Sequence, residues 1–410
     1  MTEKPVPTQS VIVIGAGPAG LAAGTAFAQT GKNVTVIERN DSAGSKLLLS
    51  GQGQCNVTHT GSVDEFLQHY GSMKQSRFIK PALCNFDNQS AMQFFEQSGV
   101  PLWIRDDGKV FPKSLKAKDI LNALLQKLKE AGGKLVTNTF VRRGEKTGST
   151  QKDCIFTLET NSGIFSSDIL VIATGGKSYP VTGSDGNGYR LAEMFGHRII
   201  PPKPALTAVT VRDYPFADSA GTVLADVPVE VLRNGKPLAK NTGSVLLTHT
   251  GLSGPCILNI SRFIESGDVL QVQLISDRLP PDLYTGRKTL KNVLQTLGFS
   301  ETFLQQLLRV LDIPPMQPAA ETNRSMRQQL ESALLRFPFA VKMTGNWNES
   351  AATAGGVDIN EVKRQTMESR LVSGLYFCGE VLDVDGGSGG YNIQFALSSG
   401  ILCAKHYALR

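Results

Sequence analysis

The chain runs to 410 residues, more than one ordinary core can organise, so two or three domains are expected at roughly 150 residues each. Apolar residues at 41%, charged residues at 19% and 41 glycines exclude a disordered or fibrous chain and fit a globular α/β protein. The net charge of +6, without a run of five like charges, describes a weakly basic surface. It suits an anionic small molecule or an RNA backbone but provides no polybasic arm.

The opening MTEKPVPTQS lacks the apolar stretch of a signal peptide and leads directly into VIVIG. No apolar segment approaches the length of a bilayer span, so a cytoplasmic protein with no membrane partner is expected. Residues 11–38 read as strand, Gly turn, helix and strand, a βαβ unit. Helical patterns follow near 74–84, 88–98 and 115–131, the last with apolar residues at 120, 121, 124, 125 and 128 and Gly132 as a C-cap. Strand-like pieces come near 134–141, 154–160 and 168–174. From about 200 the texture becomes β-rich, with LTAVTVR, VPVEVLRNGKPL and GSVLLTH.

Between 281 and 337 NVLQTLGF, ETFLQQLLRVL and SMRQQLESALLRF read as helices polar enough for a surface subdomain. GLYFCGE at 374–380 returns as a buried strand before a Gly-rich turn and a last helix. The expected division is therefore a discontinuous Rossmann-like cofactor domain (1–198 and 350–410), a β-rich middle domain (199–280 and 338–349) and a helical insertion (281–337). Six cysteines (Cys55, Cys84, Cys154, Cys256, Cys378 and Cys403) show no C-x-x-C and no paired His spacing, so reduced thiols and no metal site are expected. Nothing in the chain indicates a stable protein partner.

Gly15-Ala16-Gly17-Pro18-Ala19-Gly20 follows a strand and opens a helix, the context a dinucleotide fingerprint requires. Gly15 permits the tight turn, Gly17 lets backbone approach a pyrophosphate, and Gly20 lets helix and strand pack closely. The helix N-terminus then presents free N–H groups to the phosphates. Glu38, at the end of the second strand, is placed to accept hydrogen bonds from ribose hydroxyls and would repel a 2′-phosphate. An unphosphorylated adenosine, as in FAD or NAD, is expected.

ILVIATGG (169–176) is a buried strand ending in Thr-Gly-Gly, and GLYFCGEVLDVDGGSGGYNIQFALSSG (374–400) is strand, acidic turn, glycine cluster and helix. Both are similar to segments of two-dinucleotide flavoproteins. The last helix would aim the N–H groups of Gly390, Tyr391 and Asn392 at the negative charge that flavin reduction places near N1 and the C2 carbonyl. Further, KLLLSGQGQCN (46–56), GKVFP (108–112), ATGGKSYPVTGSDGNGY (173–189), THTGLSGP (248–255) and TMESRLVSGLYFCGEVLDVDGGSGGYN (366–392) together resemble the BaiN/YhiN-type flavoproteins, also called aminoacetone-oxidase-like, in order over nearly the whole chain.

The resemblance implies FAD, a discontinuous flavin domain, a β-rich middle domain and a helical insertion. Beyond the fingerprint and Glu38, the cofactor contacts expected are Arg39, Lys46, Ser50, Gly51, Asn56, Val141, Ala173, Thr174, Gly175, Gly176, Gly379, Glu380, Asp383, Gly390, Tyr391, Asn392 and Ile393. Activities of the family include reduction of a C=C bond conjugated to a carbonyl, in a steroid-like enone or in uracil of ribosomal RNA, and oxidation of small amino ketones. This chain departs from the family pattern at Ser45, Gln54 and His59, where relatives carry Arg, Arg and Asn. Loss of two cations weakens phosphate pairing or moves that role to Lys46.

Reduction of such a bond needs an exchangeable proton near the substrate, and Cys55, Tyr179 and His249 are the candidates. No second strand–G-x-G-x-x-G–helix unit is present to hold NAD(P)H, and GSDGNG at 183–188 follows a turn rather than a buried strand. NADH or NADPH is therefore expected to visit the flavin transiently. The alternatives are a flavin oxidase of an amino ketone and a flavin-carrying RNA-binding or regulatory protein. For the latter no aromatic–basic interleaving is seen along the chain.

Overall fold

The computed structural model describes residues 9–148 and 155–408. Two compact units result, Met1–Lys203 with Ala351–Arg410, and Pro204–Ser350. These junctions lie within a few residues of 198 and 350. The helical stretch 281–337, expected as a subdomain of its own, belongs to the second unit.

In the first unit five parallel strands stand in the order Leu375–Phe377, Ile169–Ile172, Ser10–Ile14, Asn33–Ile37 and Lys134–Val136. Ile169–Ile172 is buried throughout, as a parallel strand covered on both faces must be. The first described strand, Ser10–Ile14, stands in the middle, and the others are added outward on both sides. The switch point between Ser10–Ile14 and Ile169–Ile172 therefore opens a crevice at their carboxyl ends.

Helix Pro18–Gln29 begins with Pro at its first turn and buries small residues on nearly every side. A Cβ on Gly24 would come within 2.8 Å of Val36, and one on Gly400 of the closing helix Tyr391–Ala408 within 2.4 Å of the Ala19 carbonyl. Small residues thus set how closely these layers approach. Two antiparallel three-stranded sheets also belong to the unit. Val141–Thr147, Ile155–Thr160 and Gly163–Ser167 form one; Thr58–His59, Lys109–Pro112 and Leu102–Ile104 form the other.

The second unit is a closed six-stranded barrel, in the order Val209–Val211, Gly251–Ser253, Lys236–Leu247, Val223–Arg233, Val269–Val272 and Phe337–Thr344. Its long hairpin turns at Asn234-Gly235, both at positive φ, the pairing that a two-residue hairpin loop demands. Helices Leu290–Gln295, Glu301–Val310 and Arg324–Leu335 are capped by Thr289, Ser300 and Asn323. Their apolar faces share one core with the barrel, with Phe303 stacked on Phe216 at 4.9 Å.

Cys55, Cys84, Cys256, Cys378 and Cys403 are free thiols, and Cys154 lies outside the described residues. Among the described residues no helix is long and apolar enough to cross a membrane.

Candidate functional site

The crevice is built from backbone first. Gly15 sits at φ +104 and donates its N–H to the Ile37 carbonyl at 2.7 Å, and a Cβ there would lie 2.6 Å from the Ala173 carbonyl. A Cβ on Gly20 would meet the Gly15 carbonyl at 1.8 Å, an impossible approach. At Gly17 a Cβ would meet nothing within 4 Å. The outer two glycines are demanded by the protein itself, whereas the middle one faces open space at the N-terminus of helix Pro18–Gln29. That is the division of labour a pyrophosphate site requires.

Glu38 is buried, its Oε2 accepting from the Ala16 N–H at 2.9 Å and its Oε1 from the Asn40 N–H at 3.0 Å. Its carboxylate is thereby held rigidly beside the glycine turn. Next to it, Arg39 pairs with Asp185 at 2.6 Å and covers the Phe140 ring, while Val141 is buried at the start of its strand.

Lys46, on the short helix Ser45–Leu49, donates to the Ser178 hydroxyl and to Glu380 Oε2 at 2.6 Å. Glu380 Oε1 in turn accepts from Ser178 Oγ at 3.1 Å and from the Thr353 N–H at 2.8 Å. The Thr353 hydroxyl receives the backbone N–H groups of Lys177 and Ser178. One cation, one carboxylate and two hydroxyls thus join the 46–56 loop to the segments after Gly176 and Gly379. Gly176 is required there, since a Cβ would lie 2.3 Å from Thr353 Oγ1.

After this helix the chain runs through Gly51, Gln52, Gly53 and Cys55 at positive φ, two of them non-glycine residues in a strained conformation. Strain of this kind persists only where surroundings over-determine it. Cys55 is fully buried in the core cluster, and burial pushes its thiol up to about 12 against a smaller opposing pull from Ser50.

The Gly-rich turn before the last helix is shaped by Asn392, whose Oδ1 accepts from Gly386 N–H at 2.8 Å and whose Nδ2 donates to Gly386 O at 2.9 Å. Gly390, at φ +93, passes so near Thr58 that a Cβ would fall 2.7 Å from its backbone. The first N–H groups of the helix, at Tyr391, Asn392 and Ile393, have no intrahelical acceptor and carry its positive end. Tyr391 is buried, its ring stacked on His69 at 4.1 Å and on His59 at 5.4 Å. Burial pushes its hydroxyl up to about 12, and burial with the neighbouring His59 pushes the His69 imidazole down. Asp383, half-buried on the acidic turn, is raised by burial.

The crevice thus gathers Gly15, Gly17, Pro18, Ala19, Gly20, Glu38, Ala173, Thr174, Gly175 and Gly379 around the switch point. Lys46, Ser50, Gly51, Asn56, Glu380 and Tyr391 stand on the short helices, loops and last-helix start of the same unit. Tyr179, half-buried at φ +52, is in that unit also. His249 is exposed on a turn of the second unit.

Residues that single-sequence reading missed are Thr353, Ser184 and His69. Thr353 and His69 lie outside every motif, and Ser184 sits within GSDGNG without being singled out there, so only the fold brings them in. The buried Asn56 Oδ1, Thr174 Oγ1 and Ser184 Oγ have no hydrogen-bond partner among the described residues. Polar atoms left orphaned in this way call for an occupant. Together with the open space at Gly17 they fit a dinucleotide. Among the described residues no cluster of His, Cys, Asp and Glu is arranged for a metal.

A profile described as HI0933-like protein Rossmann domain matches residues 9–406. A ribosomal RNA dihydrouridine synthase of Escherichia coli (strain K12) is 32% identical over 407 residues, covering 96% of each chain. A 3-dehydro-bile acid delta(4,6)-reductase of Clostridium scindens is 31% identical over 414 residues, 97% of this chain and 98% of its own. Among solved structures a 3-ketosteroid-delta4-(5alpha)-dehydrogenase from Rhodococcus jostii RHA1 superposes with a TM-score of 0.52 at 15% identity over 98% of both chains, a likeness of fold. Fold, crevice and full-length similarity converge, and the chain belongs to the HI0933-like family of Rossmann-type oxidoreductases.

Proposed function

We propose that the chain binds FAD and reduces a carbon–carbon double bond conjugated to a carbonyl, with NADH or NADPH as a transient electron donor. The observation that carries this reading is the end-to-end similarity to relatives named for saturating such a bond on two unrelated scaffolds, a uracil of RNA and a bile acid. What the two substrates share is the conjugated bond. Bound FAD supplies hydride to the β-carbon of that bond.

This chain's residues do the rest. Glu38 would receive the ribose hydroxyls, and the turn at Gly17 with helix Pro18–Gln29 would neutralise the pyrophosphate. Asn56 and Ser184 would offer their unpartnered side-chain oxygens to the cofactor. The positive end of the last helix favours negative charge beside Tyr391. Of the three proton-donor candidates, Tyr179 combines partial exposure with a place in the cofactor unit, and we assign it delivery of a proton to the α-carbon. Substrate is either a small enone or a ribosomal RNA base, met in the cytoplasm.

The test is anaerobic. The yellow protein is mixed with NADH or NADPH, and its flavin band is followed before and after addition of a 4-en-3-one steroid or uridine-containing ribosomal RNA. Bleaching by nicotinamide and recovery on adding one substrate is the expected result. A band that neither nicotinamide bleaches, or that recovers only with air, removes the reading. Tyr179→Phe is expected to slow recovery about 10²-fold or more while leaving bleaching unchanged.

A further inference from the structure

The small sheet Thr58–His59, Lys109–Pro112, Leu102–Ile104 has a face that extends beyond the cofactor site. Trp103 stands opposite Phe111, and His59 opposite Lys109, while the Arg105 N–H bonds the Lys109 carbonyl. By strand alternation Trp103, Phe111, Arg105, Lys109 and His59 share one side of the sheet. Trp103 is 44% exposed and lies over Phe111 at 6.4 Å, with the Arg105 guanidinium 5.3 Å above the same ring. Phe111 backs onto the cofactor loop, 3.8 Å from where a Gly51 Cβ would be. His59 stacks on Tyr391. The face therefore runs from an exposed indole to the helix start at the crevice.

Charge follows the same path. Residues 101–118 hold five cations against two carboxylates, a net +3 out of +6 for the whole chain. Asp107 ties up Arg105 and Lys109, but Lys113, Lys116 and Lys118 are exposed with no ion pair among the described residues. Beside them a groove of about 300 Å³ is lined by Ser98, Ser114, Asn122 and Gln126 together with the apolar Val100, Pro101 and Ala123 and the carboxylate of Asp119, which the Ser114 hydroxyl caps. A steroid wants a continuous apolar wall, and a second copy wants a larger apolar patch. An exposed indole beside these three exposed lysines is the chemistry of an unstacked base and its phosphates.

We infer that this face docks single-stranded RNA, a base stacking on Trp103 and phosphates meeting Lys113, Lys116 and Lys118, with His59 marking the end nearest the crevice. The inference rests on the reductase reading in its RNA form.

The holoprotein carries two tryptophans, so Trp347→Phe leaves Trp103 as the sole indole reporter. Titration with a ten-nucleotide oligouridylate at low salt is expected to quench it. The logarithm of affinity should fall with the logarithm of salt at a slope of about −2 for three phosphate contacts. Read by a fluorescent oligouridylate instead of the indole, Trp103→Ala should weaken binding roughly tenfold and Trp103→Phe restore most of it. Lys113→Glu with Lys116→Glu should flatten the slope. If Trp347→Phe does not fold, binding by fluorescent oligouridylate in the wild-type and Trp103→Ala proteins decides the same point.

The docking surface is overturned if the indole ignores oligouridylate, if quenching is independent of salt, or if it answers instead to a 4-en-3-one steroid or to protein concentration alone. Bleaching by nicotinamide in the same samples separates the two claims. A silent Trp103 with a working enone reduction removes only the surface, and a responding Trp103 with no bleaching removes only the reductase.

Discussion

Gly17 and Gly20 stand three residues apart, and their surroundings predict opposite outcomes for one methyl group. Gly20→Ala would drive a Cβ into the Gly15 carbonyl at 1.8 Å, so loss of soluble, folded protein is expected. Gly17→Ala meets no protein atom within 4 Å. Its apoprotein should melt within about 0.5 kcal/mol of wild type, yet purify without colour. A yellow Gly17→Ala protein would mean that no pyrophosphate lies there. Cys55 yields a second prediction at this scale. Its thiol is buried and pushed up to about 12, so it should resist iodoacetamide at pH 8, and Cys55→Ser should lower stability more than turnover. A collapse of turnover in a normally folded Cys55→Ser protein would return the proton-donor role to it. The residues legible in the sequence were those whose role is carried by backbone: a glycine turn announces itself by spacing. Thr353, which holds two N–H groups of the segment after Gly176, had no such signal because its partners lie about 175 positions away.

Among elements, those organised by local periodicity were legible. Helices expected at 74–84, 88–98 and 115–131 occupy Met73–Asn85, Asn88–Gln97 and Ala117–Glu130, and the Asn234-Gly235 hairpin follows from its turn chemistry. What periodicity cannot show is pairing between distant strands. The Thr58–His59 strand is two residues long, and its partner lies fifty positions on, so the aromatic and basic residues that face each other there looked scattered in the chain. The helices of 281–337 looked polar for a similar reason, their apolar residues forming one narrow face that the barrel covers. The barrel offers a test of its own electrostatics. Arg233 grips Asp268 with two bonds of 2.9 Å, a third arriving from the Glu265 N–H, and holds that carboxyl below its usual range. A depressed folded pKa contributes stability above the unfolded value near 4 and loses it as pH falls through the folded one. Asp268→Asn should therefore cost about 2 kcal/mol at pH 7, and the gap to wild type in thermal melts should narrow as pH drops below 4. A gap that does not change with pH would assign the loss to packing.

At the scale of the whole molecule, the apolar interior forms two clusters with no residue in common, one around the parallel sheet and one inside the barrel. The first is assembled from both ends of the chain, whereas the second is a continuous stretch, Pro204–Ser350. A continuous segment with a closed barrel leaves no open sheet edge and needs no distant sequence to finish its core. Expressed alone, residues 204–350 should therefore fold and unfold cooperatively. The cofactor contacts proposed all lie in the first unit, so linkage predicts where FAD acts. At a hundred times its dissociation constant a ligand that binds only the folded form adds about 2.7 kcal/mol, or roughly 5–10 °C in melting temperature for a unit of this size. Calorimetry of the full chain should show FAD raising the transition of the first unit while that of the isolated barrel segment stays where it was. A barrel transition that shifts equally with FAD would place part of the cofactor's binding on residues 204–350 and overturn the assignment to the glycine turn, Glu38 and the last helix.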